Sequence, residues 1–373
     1  MHSSAAPPSP GRLRPALLGA GLAALLLSGC ANSGTPGGPF AANAMAGLPS
    51  FAPLVHRVLP AVVNIAVTET VPGADATAAL PPELRDTPLG REYQRRFKDR
   101  AEQITGAGSG YIIDPSGIIV TNDHVVGHAD RILVALTDGT ELPAHLIGSD
   151  ALTDIAVIKV DPGHPLPAVS WGDSSKIEVG DWTLAAGNPF GLGGSVTAGI
   201  VSAEGRDIGA GPFDNFLQLD APINPGNSGG PVFNMAGQVV GMTTAIVSPT
   251  GGSVGIGFAI PSDTVRRIVE ILRAKGHIDR GWLGVSVQTV PAAPDHPAGV
   301  LVGSVEPNGP AAHAGLQKGD VVQALNDLRI TTARALIRAV AAIAPGGVAH
   351  LSVSRGDKTM KIPVTVGLRP AGE

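Results

Sequence analysis

Cysteine is almost missing from this chain: Cys30 stands alone among 373 residues. No disulfide can form within the chain, so the fold does not rely on an oxidising compartment. Aromatic residues make up only 3% and charged residues 15%. With a formal net charge of -5 and no long basic run, the sequence excludes an electrostatic nucleic-acid binder. The apolar stretch at 16–27 is too short to span a bilayer comfortably. What the chain has in plenty is 50 Gly and 33 Pro, with 43% hydrophobic residues. That mixture suits a turn-rich, mostly β globular protein of two or three domains.

Arg12 and Arg14 precede the apolar stretch and make it a targeting segment. It ends in Leu27-Ser28-Gly29-Cys30, which resembles the lipobox of bacterial lipoproteins. In that class the peptide is cut before the cysteine, which then carries the lipid. The alternative is an ordinary secretory signal with a cysteine near its cleavage site. The lipobox implies a signal peptide over 1–29, Cys30 as the lipid-bearing residue and a flexible Ala/Gly/Ser/Pro tether over 30–50. The chain is then exported and anchored in the cell envelope or periplasm.

Periodicity starts at Phe51. Residues 62–67 read as a buried strand, while 68–105 break the pattern with Pro81-Pro82 and a charged patch at 91–100. Residues 108–113 and 118–120 form a hairpin across the turn Asp114-Pro115-Ser116-Gly117. A second hairpin turns at Asp138-Gly139. Short strands follow at 153–160, 184–191 (ending in a turn), 197–202, 232–233, 239–242 and 253–260, as in barrels or sandwiches. Val265, Ile268, Val269 and Leu272 mark one face of a helix capped by Ser262 and stopped at Gly276.

Three side chains can do chemistry together. Ser228 lies in Asn224-Pro225-Gly226-Asn227-Ser228-Gly229-Gly230-Pro231, a run that lets the backbone turn sharply. The amides of Gly226, Asn227 and Ser228 could line one concavity suited to an oxyanion. A serine hydroxyl needs a base, and His124 follows a clean strand. An imidazole needs a carboxylate to fix its tautomer, and Asp154 opens a strand. The order His, Asp, Ser is that of chymotrypsin-like double barrels.

Five blocks carry a family resemblance: Gly108-Ser109-Gly110, Thr121-Asn122-Asp123-His124-Val125-Val126, Thr153-Asp154-Ile155-Ala156-Val157, Gly187-Asn188-Pro189-Phe190-Gly191 and the octapeptide around Ser228. Together they resemble the signature blocks of HtrA/Deg serine proteases. The resemblance implies a mostly β fold, a chymotrypsin-like double six-stranded barrel over 51–278. It implies His124 as base, Asp154 as orienter, Ser228 as nucleophile and an oxyanion hole in the amides from Gly226 to Ser228, in loops that rearrange on activation in many members. Residues 68–105 take the place of the family's regulatory insertion and 204–219 that of its sensor loop.

A basic-specific pocket would carry an acid where this chain has Pro222, next to Ile223. An unpaired Lys or Arg buried there would be costly, so cleavage after small or medium aliphatic residues is expected. The segment Ser253-Val254-Gly255-Ile256-Gly257 is expected to pair with substrate as a strand.

From residue 281 a second unit begins. Trp282-Leu283-Gly284-Val285 resembles the carboxylate loop of PDZ domains, and Gly309-Pro310-Ala311-Ala312-His313-Ala314-Gly315-Leu316-Gln317-Lys318-Gly319-Asp320 the next PDZ block. Thr332 caps a helix bearing Leu336, Ile337, Val340 and Ile343, and His313 sits on the surface. A PDZ domain over 281–368 implies capture of C-terminal peptides. One such domain, where several family members carry two, leaves a homotrimer as the expected assembly. The reading is an envelope serine endopeptidase acting on unfolded or signalling proteins, without metal, cofactor or nucleic acid. A peptide-binding chaperone or a PDZ adaptor with little proteolysis is the alternative, separable by casein digestion with and without Ser228→Ala.

Overall fold

The computed structural model describes residues 50–71, 87, 102–191, 193–246, 252–292, 298–356 and 358–370. The expectations for the signal peptide, Cys30, the tether and most of the 68–105 insertion lie outside these residues.

Helix α1 (Ala52–Val58) leads into a closed barrel. Its strands are β1 (Val62–Val71), β2 (Glu102–Asp114), β3 (Ile118–Thr121), β4 (Arg131–Ala135), β5 (Glu141–Asp150) and β6 (Ile155–Val160). They run in the order β1-β2-β3-β6-β5-β4, and β4 closes on β1. The β2–β3 turn is the expected one: Ser116 N donates to Asp114 Oδ1 at 3.0 Å. Val63, Ile65, Ile112, Ile119, Val134, Ala156 and Ile158 fill the interior, each fully buried. Between β3 and β4 lies a single helical turn, α2 (Asp123–Val126).

The second barrel holds β7 (Ser170–Trp171), β8 (Trp182–Gly187), β9 (Ser195–Arg206), β10 (Phe216–Leu219), β11 (Pro231–Phe233), β12 (Gln238–Ile246) and β13 (Gly257–Pro261). Six strands close in the order β11-β8-β9-β10-β13-β12, sealed by β12 pairing with β11, while β7 pairs in parallel with the start of β12 at Gln238 and Val239. The last strand starts at Gly257, not at Ser253. Residues 253–256 form bends instead, with Gly255 at φ +80 and Ser253 N tied to Asn224 Oδ1 at 3.2 Å.

Helix α3 (Ser262–Lys275) ends the double barrel and stops at Gly276, whose φ of 79 is open to glycine. Ser262 does not cap it. The cap position falls on Pro261, Ser262 donates to Gly172 O at 3.0 Å, and the Asp263 amide finds its acceptor in Ser174 Oγ at 3.1 Å. A helix this short is marginal alone. Its buried Val265, Ile268, Val269 and Leu272 join Val62, Tyr111, Val120, Phe233 and Met242 in one cluster spanning both barrels. At about 1.5–3 kcal/mol for each fully buried apolar side chain, that packing outweighs propensity.

The C-terminal module contains β14 (Gly281–Trp282), β15 (Val285–Val290), β16 (Gly299–Val305), α4 (Pro310–His313), β17 (Val321–Leu325), β18 (Leu328–Arg329), α5 (Ala333–Ala341), β19 (Val348–Arg355), β20 (Lys358–Thr365) and β21 (Gly367–Leu368). Its sheet runs β15-β16-β17-β19-β20. Thr332 caps α5 by accepting from Ala335 N at 3.1 Å, and Leu336 and Val340 face the core. Ile343 falls just beyond the helix end, and His313 is exposed as expected.

Candidate active site

β3 ends at Thr121 and delivers Asn122 and α2, so His124 stands on a helical turn at the barrel rim. Asp154 does not open β6 but precedes it, in the left-handed region at φ 56. Aspartate visits that region more readily than most residues, and here the backbone is held from outside: Asn122 Nδ2 donates to Asp154 O at 2.8 Å. The carboxylate then faces His124 squarely. His124 N donates to Oδ1 at 3.0 Å, and Nδ1 lies 2.9 Å from both oxygens. With Nδ1 the donor, the neutral ring presents Nε2 as an acceptor. The Asp154 hydrogen bond holds the imidazole pKa above its ordinary value. Burial opposes this, and the charges of Asp154 and Asp123 reinforce it.

On the second barrel, Asn227 N donates to Asn224 O at 3.0 Å across Pro225 and Gly226, and Gly226 has φ 92. This is a type II turn with proline and glycine at its two central positions. The Asn227 amide closes this turn, whereas the Gly226 and Ser228 amides have no acceptor among the described residues. Ser228, Gly226 and His124 line one cavity of about 300 Å³ with Glu69, Ala107 and His128. Ser228 Oγ donates to Thr244 O at 3.4 Å, and no Ser228–His124 hydrogen bond occurs among the described residues. The hydroxyl of the same Thr244 donates to Asp154 Oδ2. Thr244 was absent from the sequence expectations. It sits mid-strand in β12, and only barrel closure shows that it meets an acid 90 residues away.

Ile223 is buried at 3%, while Pro222 faces solvent. The Ile223 side chain packs over the bare α-carbon of Gly257, where an added Cβ would lie 2.5 Å from Ile223 Cδ1. Ser253, Val254, Gly255 and Ile256 form a loop beside this wall rather than a strand, with Val254 and Ile256 exposed. A second cavity of about 360 Å³ lies beside His124 and Asp154, walled by Leu152, Phe213, Asp214 and Thr244.

The C-terminal module has a groove of about 220 Å³ between β15 and α5, lined by Trp282, Leu283, Gly284, Val285, Leu336 and Ile337. From α5, Arg338 Nε donates to Pro212 O at 2.5 Å and Arg334 pairs with Asp207, so the module grips the 207–214 loop. Arg280 pairs in two-pronged fashion with Asp150, both buried, and its guanidinium lies 4.7 Å from the centre of the Phe213 ring.

Two closed six-stranded barrels with Ser, His and Asp at their junction, followed by a grooved module, define a trypsin-like serine endopeptidase carrying one PDZ domain. Residues 108–242 match the trypsin-like peptidase domain and 281–366 the PDZ domain. The chain is 45% identical over 355 residues to a probable periplasmic serine endoprotease DegP-like of Brucella suis, covering 86% of this chain and 69% of that one. A protein of the same description from Pseudomonas putida is 43% identical over 345 residues, covering 88% and 72%. Among solved structures, the HtrA-type protease AlgW with decapeptide superposes with a TM-score of 0.72 at 39% identity, over 86% of this chain and 99% of that one. The serine endoprotease from Yersinia pestis gives 0.67 at 33% identity, over 87% and 99%. The chain belongs to the HtrA/Deg family of serine endoproteases. Its relatives' description as periplasmic places it in the cell envelope.

Proposed function

We propose that Ser228 attacks the scissile carbonyl, that His124 Nε2 takes its proton, and that Asp154 fixes the imidazole and stabilises the imidazolium. The observation that carries this is the continuous link Asn122–Asp154–His124 with Thr244 joining Asp154 to Ser228. For the attack Oγ must leave Thr244 O for His124, with which Ser228 shares one cavity. The tetrahedral oxyanion is held by the Gly226 and Ser228 amides. Collapse passes the proton from His124 to the leaving amine and leaves an acyl-enzyme, which water hydrolyses by the reverse proton path. Neither metal nor nucleotide takes part.

The S1 wall built from Ile223 over Gly257, without an acid, favours small or medium aliphatic side chains at the cleaved position. AlgW structures with decapeptide and tripeptide support a peptide ligand for this chain also, and the groove over Trp282 to Val285 is suited to a C-terminal peptide. The protease domain is taken as 51–278 and the PDZ domain as 281–368. Cys30 is the proposed lipid anchor after removal of 1–29. A homotrimer is the proposed assembly, and the half-exposed Trp182, its ring centre 5.7 Å from that of the tilted Phe51 ring, is an apolar side chain it could cover. The substrates are unfolded envelope proteins or a membrane-bound stress regulator. Fluorophosphonate labelling followed by peptide identification tests the core of this: modification belongs on Ser228, with casein digestion lost in Ser228→Ala. Label on another residue, or undiminished digestion, refutes it.

A further inference from the structure

Ser109 stands in β2 of the first barrel, fully buried, yet its hydroxyl works on the second barrel. Asn188 N donates to Ser109 Oγ at 2.8 Å. A backbone amide can only donate, so the single hydroxyl proton is left for the other partner, Gly226 O at 2.6 Å. The peptide unit between Gly226 and Asn227 is thus clamped at both ends: its carbonyl by Ser109, its amide by Asn224 O at 3.0 Å. The amides flanking this unit, Gly226 N and Ser228 N, are the two without an acceptor among the described residues. Ser109 adds a main-chain grip, its own N donating to Ser228 O at 2.8 Å. Ser109 is itself held, since Thr121 Oγ1 donates to its carbonyl at 2.8 Å. On one side the approach is close: a Cβ added to Gly187 would lie 3.0 Å from Ser109 Oγ and 2.5 Å from Asn227 Oδ1.

We propose that Ser109 is a positioning residue for catalysis, its hydroxyl holding the Gly226–Asn227 peptide so that the two flanking amides converge on the oxyanion. Without the hydroxyl, the buried Asn188 N–H and the part-buried Gly226 C=O lose their partner, and the turn relaxes away from the geometry the transition state needs. Loss of one oxyanion donor lowers kcat by about 10²–10³, and a misaligned pair costs less than a missing one.

The test is peptide hydrolysis by Ser109→Ala and Ser109→Cys, the second keeping the shape with a poor donor, and by Ser109→Thr, which restores a hydroxyl. Expected are a fall in kcat of about tenfold or more for Ala and Cys, KM within about twofold of wild type, and recovery in Thr. A peptidyl aldehyde, whose adduct places its oxygen in the hole, should lose affinity in proportion to kcat/KM. Binding of the amine-side product and the acid limb of the pH profile should not move, since neither uses the hole. A kcat within twofold of wild type overturns the proposal, as does a parallel loss of product and aldehyde binding. Failure of all three variants to fold also counts against it, making Ser109 a structural residue only. The inference rests on Ser228 being the nucleophile, and the two failures are separable: a wild type unlabelled at Ser228 sinks that reading, while a labelled wild type matched by Ser109→Ala sinks this one.

Discussion

Thr244 Oγ1 donates its hydrogen bond to Asp154 Oδ2, the same carboxylate oxygen that faces His124 Nδ1 at 2.9 Å. Hydrogen bonds to charged groups contribute about 1.5–3 kcal/mol, and each 1.36 kcal/mol is tenfold in rate. Thr244→Val, which keeps the shape and drops the hydroxyl, is expected to lower kcat/KM by about ten- to a hundredfold. Steady-state hydrolysis of a short peptide checks this; an unchanged kcat/KM would mean the hydroxyl does not help orient the acid.

The pH profile follows from His124. Its pKa stands above the ordinary histidine value, first because of the Asp154 hydrogen bond. A base must be neutral to accept a proton, so kcat/KM should rise with pH through an apparent pKa above 6.5. Asp154→Asn should bring that limb down and cut kcat by about 10⁴. The linked stability has the opposite trend: a raised folded pKa favours the fold fully below the unfolded pKa, and the gain disappears as pH climbs through the folded one. The melting advantage of wild type over Asp154→Asn should therefore be larger at pH 5 than at pH 9. An acid limb below 6.5 in wild type would break this account.

At the specificity wall, substrates ending in Val or Ala at the cleaved bond should be cut well before those ending in Arg or Lys. Gly257→Val should block the pocket, because even a bare Cβ there meets Ile223 at 2.5 Å. A peptide library read by mass spectrometry decides the matter, and preferred cleavage after Arg would exclude the aliphatic pocket.

How much of this was visible in the residues differs from element to element. The hairpin at Asp114 to Gly117, the face of α3 and the Thr332 cap are local, so their signals are local, and all three stand. His124, Asp154 and Ser228 were legible because each lies in a distinctive block. Ser262 was misread because the better acceptor, Ser174, comes from 89 residues away. The run from Ser253 to Ile256 was misread as strand because its alternating pattern suits one, whereas Gly255 at φ 80 and the Asn224 contact bend it. Thr244 carried no signal, and Ser109, although it lies in the Gly108-Ser109-Gly110 block, gave no sign of what its hydroxyl does. Their roles exist only once the barrels meet.

Arg280 and Asp150 form a buried pair where the PDZ module leaves the barrels. Removing one partner strands the other charge in the interior, which typically costs about 3–5 kcal/mol. Arg280→Ala should lower the melting temperature markedly, while Arg280→Met with Asp150→Leu should recover much of it. Calorimetry of the three proteins distinguishes the cases; a single variant that melts like wild type would show the pair to be solvated.

Because His124 and Asp154 come from one barrel while Ser228 and Thr244 come from the other, neither half alone is a protease. The acid and base are in hand by residue 154, but the strand that steadies them is not complete until residue 246. A growing chain therefore holds the acid and the base well before it holds the serine and the threonine that complete the constellation.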